Sequence, residues 1–450
     1  MQQGRHNRLI DALLAFLSLT GYLLLGYFTE RHQTTQLLLS YFTLYIAYII
    51  LCYRTRYDRS YTWQMLLALA SRLCLIVAVP SLSDDVYRFI WDGELLAAGF
   101  DPFAETPQAY AEQGLLDNND KLARLYPLLN SPAYFTIYPP LCQLIFYLSS
   151  ILSPTSIFGS IIVIRLFILL AEGITLYFLP RLLKKHGLAE RISLVYALNP
   201  LVILELTGNL HFEAWAVAGL IACLYFWKIK KNIPASFAVA AAILAKLLPL
   251  ITLPLFLRRA SFIRLALFFG SIGMIILLVL IPYLDSDLLR GMQESTSLYF
   301  NRFEFNASLY YVIRTIGYWY KGYNIIGVAG TALALVAGVG ILIYTLVENR
   351  LKTSLPLAMM WVYALYYLFA TTLHPWYVIM LIPLCLFGRW RFPVLWTGMV
   401  FLTYSGYTAT GFKENLWLTA LEYIVVFGWL LYEGVWDRMR GDWRLWEKWI

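Results

Sequence analysis

The sequence predicts an all-α, polytopic membrane protein, a bundle of about 13–14 transmembrane helices, and three observations carry that prediction. The chain of 450 residues is 60% hydrophobic and only 14% charged, where soluble domains hold about 25% charged residues. Apolar runs recur from one end to the other, many near the ~20 residues that a helix needs to cross a hydrocarbon core of ~30 Å. Basic residues fall in short clusters between those runs, the pattern of an orientation signal. No internal repeat or second composition regime is evident, so residues 1–450 read as one transmembrane domain.

The expected spans, in order, are 8–28, 35–52, 62–80, 157–180, 191–207, 212–229, 234–257, 262–282, 324–346, 354–371, 374–388, 391–411 and 415–433. The first follows Arg5 and Arg8. It is longer than the apolar region of a signal peptide (about 7–15 residues) and lacks a small-residue cleavage site, so it reads as a retained helix. Segment 234–257 carries Lys246, Pro249 and Pro254. Proline removes a backbone donor and kinks a helix, so this segment reads as two short helices that meet near the outer surface and return.

The basic clusters test that choice. They are Arg5/Arg8, Arg54/Arg56/Arg59, Arg181/Lys184/Lys185/Arg191, Lys228/Lys230/Lys231, Arg258/Arg259/Arg264, Arg350/Lys352, Arg389/Arg391 and Arg438/Arg440/Arg444/Lys448. All of them face the cytoplasm if 234–257 re-enters and 139–152 is a juxtamembrane helix, with both termini inside, as the positive-inside rule asks. The net charge of +8 is thereby used for orientation and does not argue for nucleic acid. Cys52, Cys74, Cys142, Cys223 and Cys385 are scattered through apolar segments without CxxC spacing; they read as small core residues, not as disulfides or metal ligands.

On this topology two long loops face outward, 81–156 and 283–323. The first is rich in carboxylates, from Asp84 and Asp85 to Asp120, and poor in bases; a long loop in a compact protein is usually functional. The 15 Trp and 33 Tyr suit belts at headgroup depth. Trp436, Trp443, Trp446 and Trp449 at helical spacing among charges predict an interfacial helix over 434–450. Arg72, Arg165 and Glu172 within spans read as buried ion pairing between helices, or as an ion or proton relay.

Chemistry is most concentrated in Ser83-Asp84-Asp85-Val86-Tyr87-Arg88-Phe89-Ile90-Trp91-Asp92-Gly93. Asp84, Arg88 and Asp92 recur every fourth residue and share a helix face. A carboxylate able to take a proton beside a guanidinium able to pair with phosphate supplies base and anion site together; a helix cap with surface ion pairs would use the same residues. Four further constellations fall on the same outer side: Thr136-Ile137-Tyr138-Pro139-Pro140, the polar break from Asn199 through Glu205 to His211 and Glu213, Lys246 between two half-helices, and His374-Pro375-Trp376-Tyr377. Each alone admits a structural reading as a turn, a cap or a belt. Their convergence on one face is the stronger signal, because the topology was set by basic residues elsewhere.

Together these pieces resemble the GT-C superfamily of integral membrane glycosyltransferases, and most nearly the bacterial polyprenyl-phosphate-mannose-dependent mannosyltransferase-like proteins. The matching stretches are SDDVYRFIWDGELLAAGFDPF (83–103), TIYPPLCQLIF (136–146), NPLVILELTGNLHFEAW (199–215), AKLLPLITLPL (245–255) and HPWYVIMLIPL (374–384). The resemblance implies a GT-C-like bundle in a bacterial inner membrane, a polyprenyl-phosphate-linked sugar donor, a glycan or glycolipid acceptor, and inverting transfer on the outer face, mannose being the commonest donor sugar. By the same carry-over Asp85, with Asp84 second, is the expected general base; Arg88, Lys246 and His374 are expected at the donor phosphate. Asp92, Tyr138, His211, Glu213, Trp376 and Tyr377 are expected around sugar and acceptor. No metal cofactor is expected, although the carboxylate-rich loop could take a divalent cation.

Two rivals use part of the same pattern. A transporter or flippase of lipid-linked sugars would also need many helices and buried ionisable groups, but would more often show inverted repeats and midplane polar sites. A polysaccharide polymerase or ligase would carry a late, arginine-rich outer loop, whereas the long loop here is early and acidic.

Overall fold

The computed structural model describes residues 2–54, 60–283, 287–348 and 353–440. They are almost entirely helical. In chain order the α-helices are α1 (Gln2–Tyr27), α2 (Thr34–Arg54), α3 (Ser60–Leu73), α4 (Asp85–Ala97), α5 (Pro107–Glu112), α6 (Asp120–Leu125), α7 (Pro140–Leu152) and α8 (Ile157–Lys185). There follow α9 (Leu194–Ala197), α10 (Pro200–Val202), α11 (Glu213–Lys228), α12 (Asn232–Ala245), α13 (Phe262–Leu280), α14 (Leu288–Arg302), α15 (Leu309–Lys321) and α16 (Ile326–Val347). The last are α17 (Leu355–Phe369), α18 (Leu381–Cys385), α19 (Phe392–Met399) and α20 (Leu416–Arg440). A single two-residue hairpin, β1 (Tyr407–Thr408) with β2 (Gly411–Phe412), is the only sheet among the described residues.

This is an all-α polytopic membrane protein. Among the described residues, six helices are long and apolar enough to cross a membrane, or seven if the bent pair Glu190–Ala197 and Pro200–Gly208 counts as one span. The other apolar segments among the expected 13–14 are short or broken helices. Segment 191–207 bends by 56° at Asn199-Pro200, where proline cannot continue a helix ladder. Segment 234–257 breaks at Lys246 into α12 and a 3-10 turn over Leu248–Phe256, as its prolines predict. Segments 374–388 and 391–411 likewise divide into 3-10 turns and short helices. The helix expected over 139–152 is α7. The terminal helix α20 runs to Arg440; residues 441–450 of the expected interfacial helix lie outside the described residues.

The chain forms two compact units, one from residues 1–82, 173–211 and 374–450, the other from 83–172 and 212–373. In the second unit α4 and α7 pack backbone to backbone. A Cβ on Gly93 would lie 2.2 Å from the Phe146 carbonyl oxygen, so only glycine permits this approach. Phe89 stacks on Phe146 with centroids 4.8 Å apart, and Tyr138 and Phe212 meet both rings edge-on. The acidic loop is tied down by buried Lys121, whose ammonium donates to Glu94 Oε1 at 2.6 Å, the Ser153 carbonyl at 2.7 Å and Ser160 Oγ at 3.0 Å. All three ammonium protons are satisfied, as a buried lysine requires.

In the first unit the Tyr41 ring stacks on Phe401 at 3.5 Å and its hydroxyl donates to the Thr397 carbonyl. Arg72 is buried and donates to the carbonyls of Ala68 and of Ala197 on α9, joining helices through carbonyl oxygens. Arg165 and Glu172, on the part of α8 that belongs to the second unit, are both fully buried. Four of the five cysteines are buried and all five are free thiols, as read from the sequence.

Candidate functional site

In the second unit the acidic motif sits at the start of α4. Asp84 occupies the N-cap position without using its side chain as a cap, and Asp85 opens the helix. Both are half-buried, and Asp85 Oδ1 accepts a long hydrogen bond, 3.3 Å, from Asn130 of the acidic loop. One turn on, Arg88 is buried. Its Nε donates to Asp92 Oδ1 at 2.8 Å and its Nη1 to the Tyr134 carbonyl at 2.8 Å. Asp92 is fully buried and also accepts from Thr136 Oγ1 at 2.5 Å and Gln143 Nε2 at 3.0 Å. Arg88 and Asp92, expected at phosphate and sugar, are thus engaged with each other and with segment 134–143. They hold that segment against α4, and Pro139 and Pro140 set its rigid entry into α7.

Lys246 follows the last residue of α12 in extended backbone, φ −148° and ψ 132°. Its ammonium lies 3.0 Å from Glu213 Oε1 at the start of α11 and 5.8 Å from the centroid of the Tyr138 ring. Lys246 keeps 22% of its side chain exposed while Glu213 is nearly buried. Glu213 Oε2 is buried and has no hydrogen-bond partner among the described residues. The charge of Asp85 reaches both Lys246 and Tyr138. Burial, and then the Asp85 charge, push the Tyr138 phenol well above its ordinary value, so Tyr138 stands here as a neutral hydroxyl. Asp85, Tyr138, Glu213 and Lys246 therefore form one neighbourhood: a half-open carboxylate, and a cation with room for a second anion.

The remaining predicted residues belong to the first unit. Here Trp376 is sandwiched between two imidazoles, His211 at 3.7 Å and His374 at 4.5 Å between centroids, both nearly parallel to it. Tyr377 meets His374 edge-on. His211 Nε2 is 3.4 Å from Glu205 Oε2 but is not aligned as a hydrogen bond. Glu205 is fully buried and accepts from Tyr404 at 2.5 Å and Asn209 at 3.2 Å. The backbone here is irregular: Ile203–Gly208 is a π-helical turn and Leu210 has φ +66°. Both features cluster at functional sites.

Four participants were not singled out from sequence. Gln143 carries the one signal that could have found it, an amide inside the apolar run PLCQLIFYL. Tyr404 and the Lys121–Glu94 pair had none, since their partners come from distant segments. Among the described residues, no three side chains of His, Cys, Asp and Glu group as a metal site.

Fold and site together define a polytopic helical membrane protein whose half-open carboxylates and lysine gather at the ends of broken helices. The chain belongs to the family described as alpha-(1->6)-mannopyranosyltransferase, N-terminal domain, whose model matches residues 16–260, more than half of it. It is similar to alpha-(1->6)-mannopyranosyltransferase A of Mycobacterium tuberculosis, 26% identical over 181 residues, 40% of this chain and 33% of that protein. A probable alpha-(1->6)-mannopyranosyltransferase of Mycolicibacterium smegmatis is 30% identical over 150 residues, 33% and 26% of the two chains. Alpha-(1->6)-mannopyranosyltransferase B of Corynebacterium glutamicum is 28% identical over 153 residues, 33% and 24%. The matched region thus spans a third or less of these relatives' own length.

Proposed function

We propose that the protein is an inverting mannosyltransferase that moves a sugar from a polyprenyl-phosphate donor to a glycan or glycolipid acceptor on the outer face of the membrane, with both termini inside. The observation that carries this reading is the neighbourhood of Asp85 and Lys246 in a chain of this family. In the proposed step Asp85 takes the proton of the acceptor hydroxyl as that oxygen attacks the anomeric carbon. The bond from that carbon to the phosphate oxygen breaks, and its electron pair leaves with the lipid phosphate. Lys246, with protons to spare beyond Glu213, meets the negative charge that develops on the leaving phosphate. Asp84 is the neighbouring carboxylate, with a lesser share in proton transfer. His374, Trp376 and Tyr377 are assigned to donor and sugar binding, as is His211, and Arg88 and Asp92 to holding segment 134–143 in place. No resident metal enters this scheme.

The test is transfer from radiolabelled polyprenyl-phosphate-mannose to a panel of glycan and glycolipid acceptors, beginning with those that report the α-(1→6) linkage named in the relatives. Transfer, or slow donor hydrolysis, that is lost in Asp85→Asn while donor binding persists supports the reading. If no polyprenyl-phosphate sugar is consumed while such lipids move across liposomes, the chain is a transporter.

A further inference from the structure

A cavity of about 550 Å³ lies in the unit that carries Asp85, within the range of sites that enclose a ligand (roughly 300–1,000 Å³). Its walls are α7, α12 and α13. On α12 the lining residues Phe237, Ala241 and Leu244 follow the spacing of one helix face, and that stripe runs to the helix end, beyond which stands Lys246. The start of α7 meets the same place, since Cys142 Sγ donates to the Ala245 carbonyl at 3.1 Å. The third wall, α13, is largely bare, with Met274, Leu277 and Leu278 exposed, as for a helix facing lipid.

Gln143 is the one amide on this apolar lining. Its orientation is fixed: Nε2 donates to Asp92 Oδ2 at 3.0 Å, and lies 3.3 Å from Thr136 Oγ1 and 3.4 Å from the Tyr138 carbonyl, all oxygens. Oε1 therefore points away from that network, fully buried and with no hydrogen-bond partner among the described residues. A buried carbonyl oxygen left unpaired is costly, and what satisfies it must be an N–H or O–H donor.

An occupant must therefore be apolar along the stripe, anionic where the stripe reaches Lys246, and a hydroxyl donor at Gln143. A sugar linked through phosphate to an isoprenoid chain meets all three demands. We infer that Gln143 reads a hydroxyl of the donor sugar while the cavity between α7, α12 and α13 holds the first isoprene units of its chain, entering sideways from the lipid. This deepens the proposed transferase reading and rests on it. The cavity holds only part of a long chain, so the benefit of chain length saturates once the cavity is filled.

The experiment uses the full chain in lipid nanodiscs. A photoreactive isoprenyl phosphate, its diazirine in the first isoprene units, labels peptides of α7, α12 or α13, and unlabelled isoprenyl phosphate competes. Ala241→Trp, which fills the cavity without touching the Asp92 network, abolishes labelling and raises KM for a long-chain donor at least about tenfold. It leaves a donor whose phosphate carries a methyl group in place of the isoprenoid, and so cannot reach the cavity, nearly unaffected. In a series of deoxy-mannose donors, the wild type loses at least about tenfold in kcat/KM at one hydroxyl, and Gln143→Met no longer distinguishes that analogue. Labelling elsewhere overturns the inference, as does a phospholipid that displaces the label as well as isoprenyl phosphate does, or discrimination unchanged in Gln143→Met. If the wild type transfers no sugar yet labelling maps to the cavity, the transferase reading falls and the isoprenoid seat stands.

Discussion

Lys246 Nζ lies 3.0 Å from Glu213 Oε1, joining the end of one short helix to the start of another. The pair is asymmetric. The carboxylate is nearly buried and the ammonium is partly open, so the lysine can meet an incoming anion while its partner cannot leave. Removing one member of a buried pair strands the other charge at about 3–5 kcal/mol, less where one partner keeps water. Lys246→Met should therefore lower stability by about 2–3 kcal/mol and abolish transfer. Lys246→Met with Glu213→Gln should recover most of the stability and none of the activity. Thermal unfolding in detergent beside a transfer assay separates the two; activity returning with stability would reduce Lys246 to a structural role.

The two aspartates at the start of α4 differ in partners, and Asp85 is the one whose charge reaches Lys246 and Tyr138. A positioned general base contributes about 10²–10⁴ in rate. Asp85→Asn should lose transfer by that order with donor binding intact, and Asp84→Asn by about tenfold or less. The reverse ranking in single-turnover kinetics would give the base to Asp84.

Tyr138 is a neutral phenol by its surroundings, since burial and the Asp85 charge both favour the protonated form. Its folded value stands above the unfolded one, so the folded state holds its proton where the unfolded chain releases it. The stability this contributes is complete below the ordinary tyrosine range and declines only as pH rises through it. Tyr138→Phe should therefore leave the shape of the pH–rate profile unchanged through neutrality while raising KM. A displaced limb in the variant's profile would mean that the phenol ionises during turnover.

The helical class was legible because hydropathy acts along the chain. The break at Lys246 was legible too, as its prolines act locally. Where the apolar segments end or bend was less so: composition marks 191–207 as apolar without saying that it bends by 56° at Asn199-Pro200, and 374–388 without saying that its helix runs only from Pro375 to Cys385. The family resemblance places Arg88 and Asp92 at substrate, and four-residue spacing adds only that they share a face. It cannot show that Thr136 and Gln143 come from outside that helix to take up the same carboxylate. Gln143 was hidden for the same reason, its significance lying in an oxygen that tertiary structure leaves unpaired.

Gly93 tests how closely α4 must approach α7. With a Cβ only 2.2 Å from the Phe146 carbonyl, the backbone itself would have to move, and overpacking of this kind costs about 1–3 kcal/mol. Gly93→Ala should destabilise by that amount and lower transfer by shifting Asp85 relative to Tyr138. Unchanged unfolding temperature and rate would mean that the two helices separate freely.

Lys121 makes the complementary argument for the acidic loop. Its three donors go to Glu94 on α4, to the Ser153 carbonyl just past α7 and to Ser160 on α8, so one side chain fixes α6 against three segments. Glu94 is buried as well, and Lys121→Met would leave its carboxylate uncompensated at about 3–5 kcal/mol. Hydrogen exchange should rise first in α6 and its flanking turns, which keep the bond from Arg124 to the Thr155 carbonyl, while α11 and α12 stay protected. Lys121→Met with Glu94→Gln removes the stranded charge without restoring the three anchors. Stability should then recover in part while the fast exchange in α6 persists, and kcat should fall more than donor affinity, since Asn130, which bonds Asp85, follows this anchored helix in the loop. Full recovery of both exchange and kcat in the double variant would show that the charge, and not the anchoring, is what Lys121 supplies.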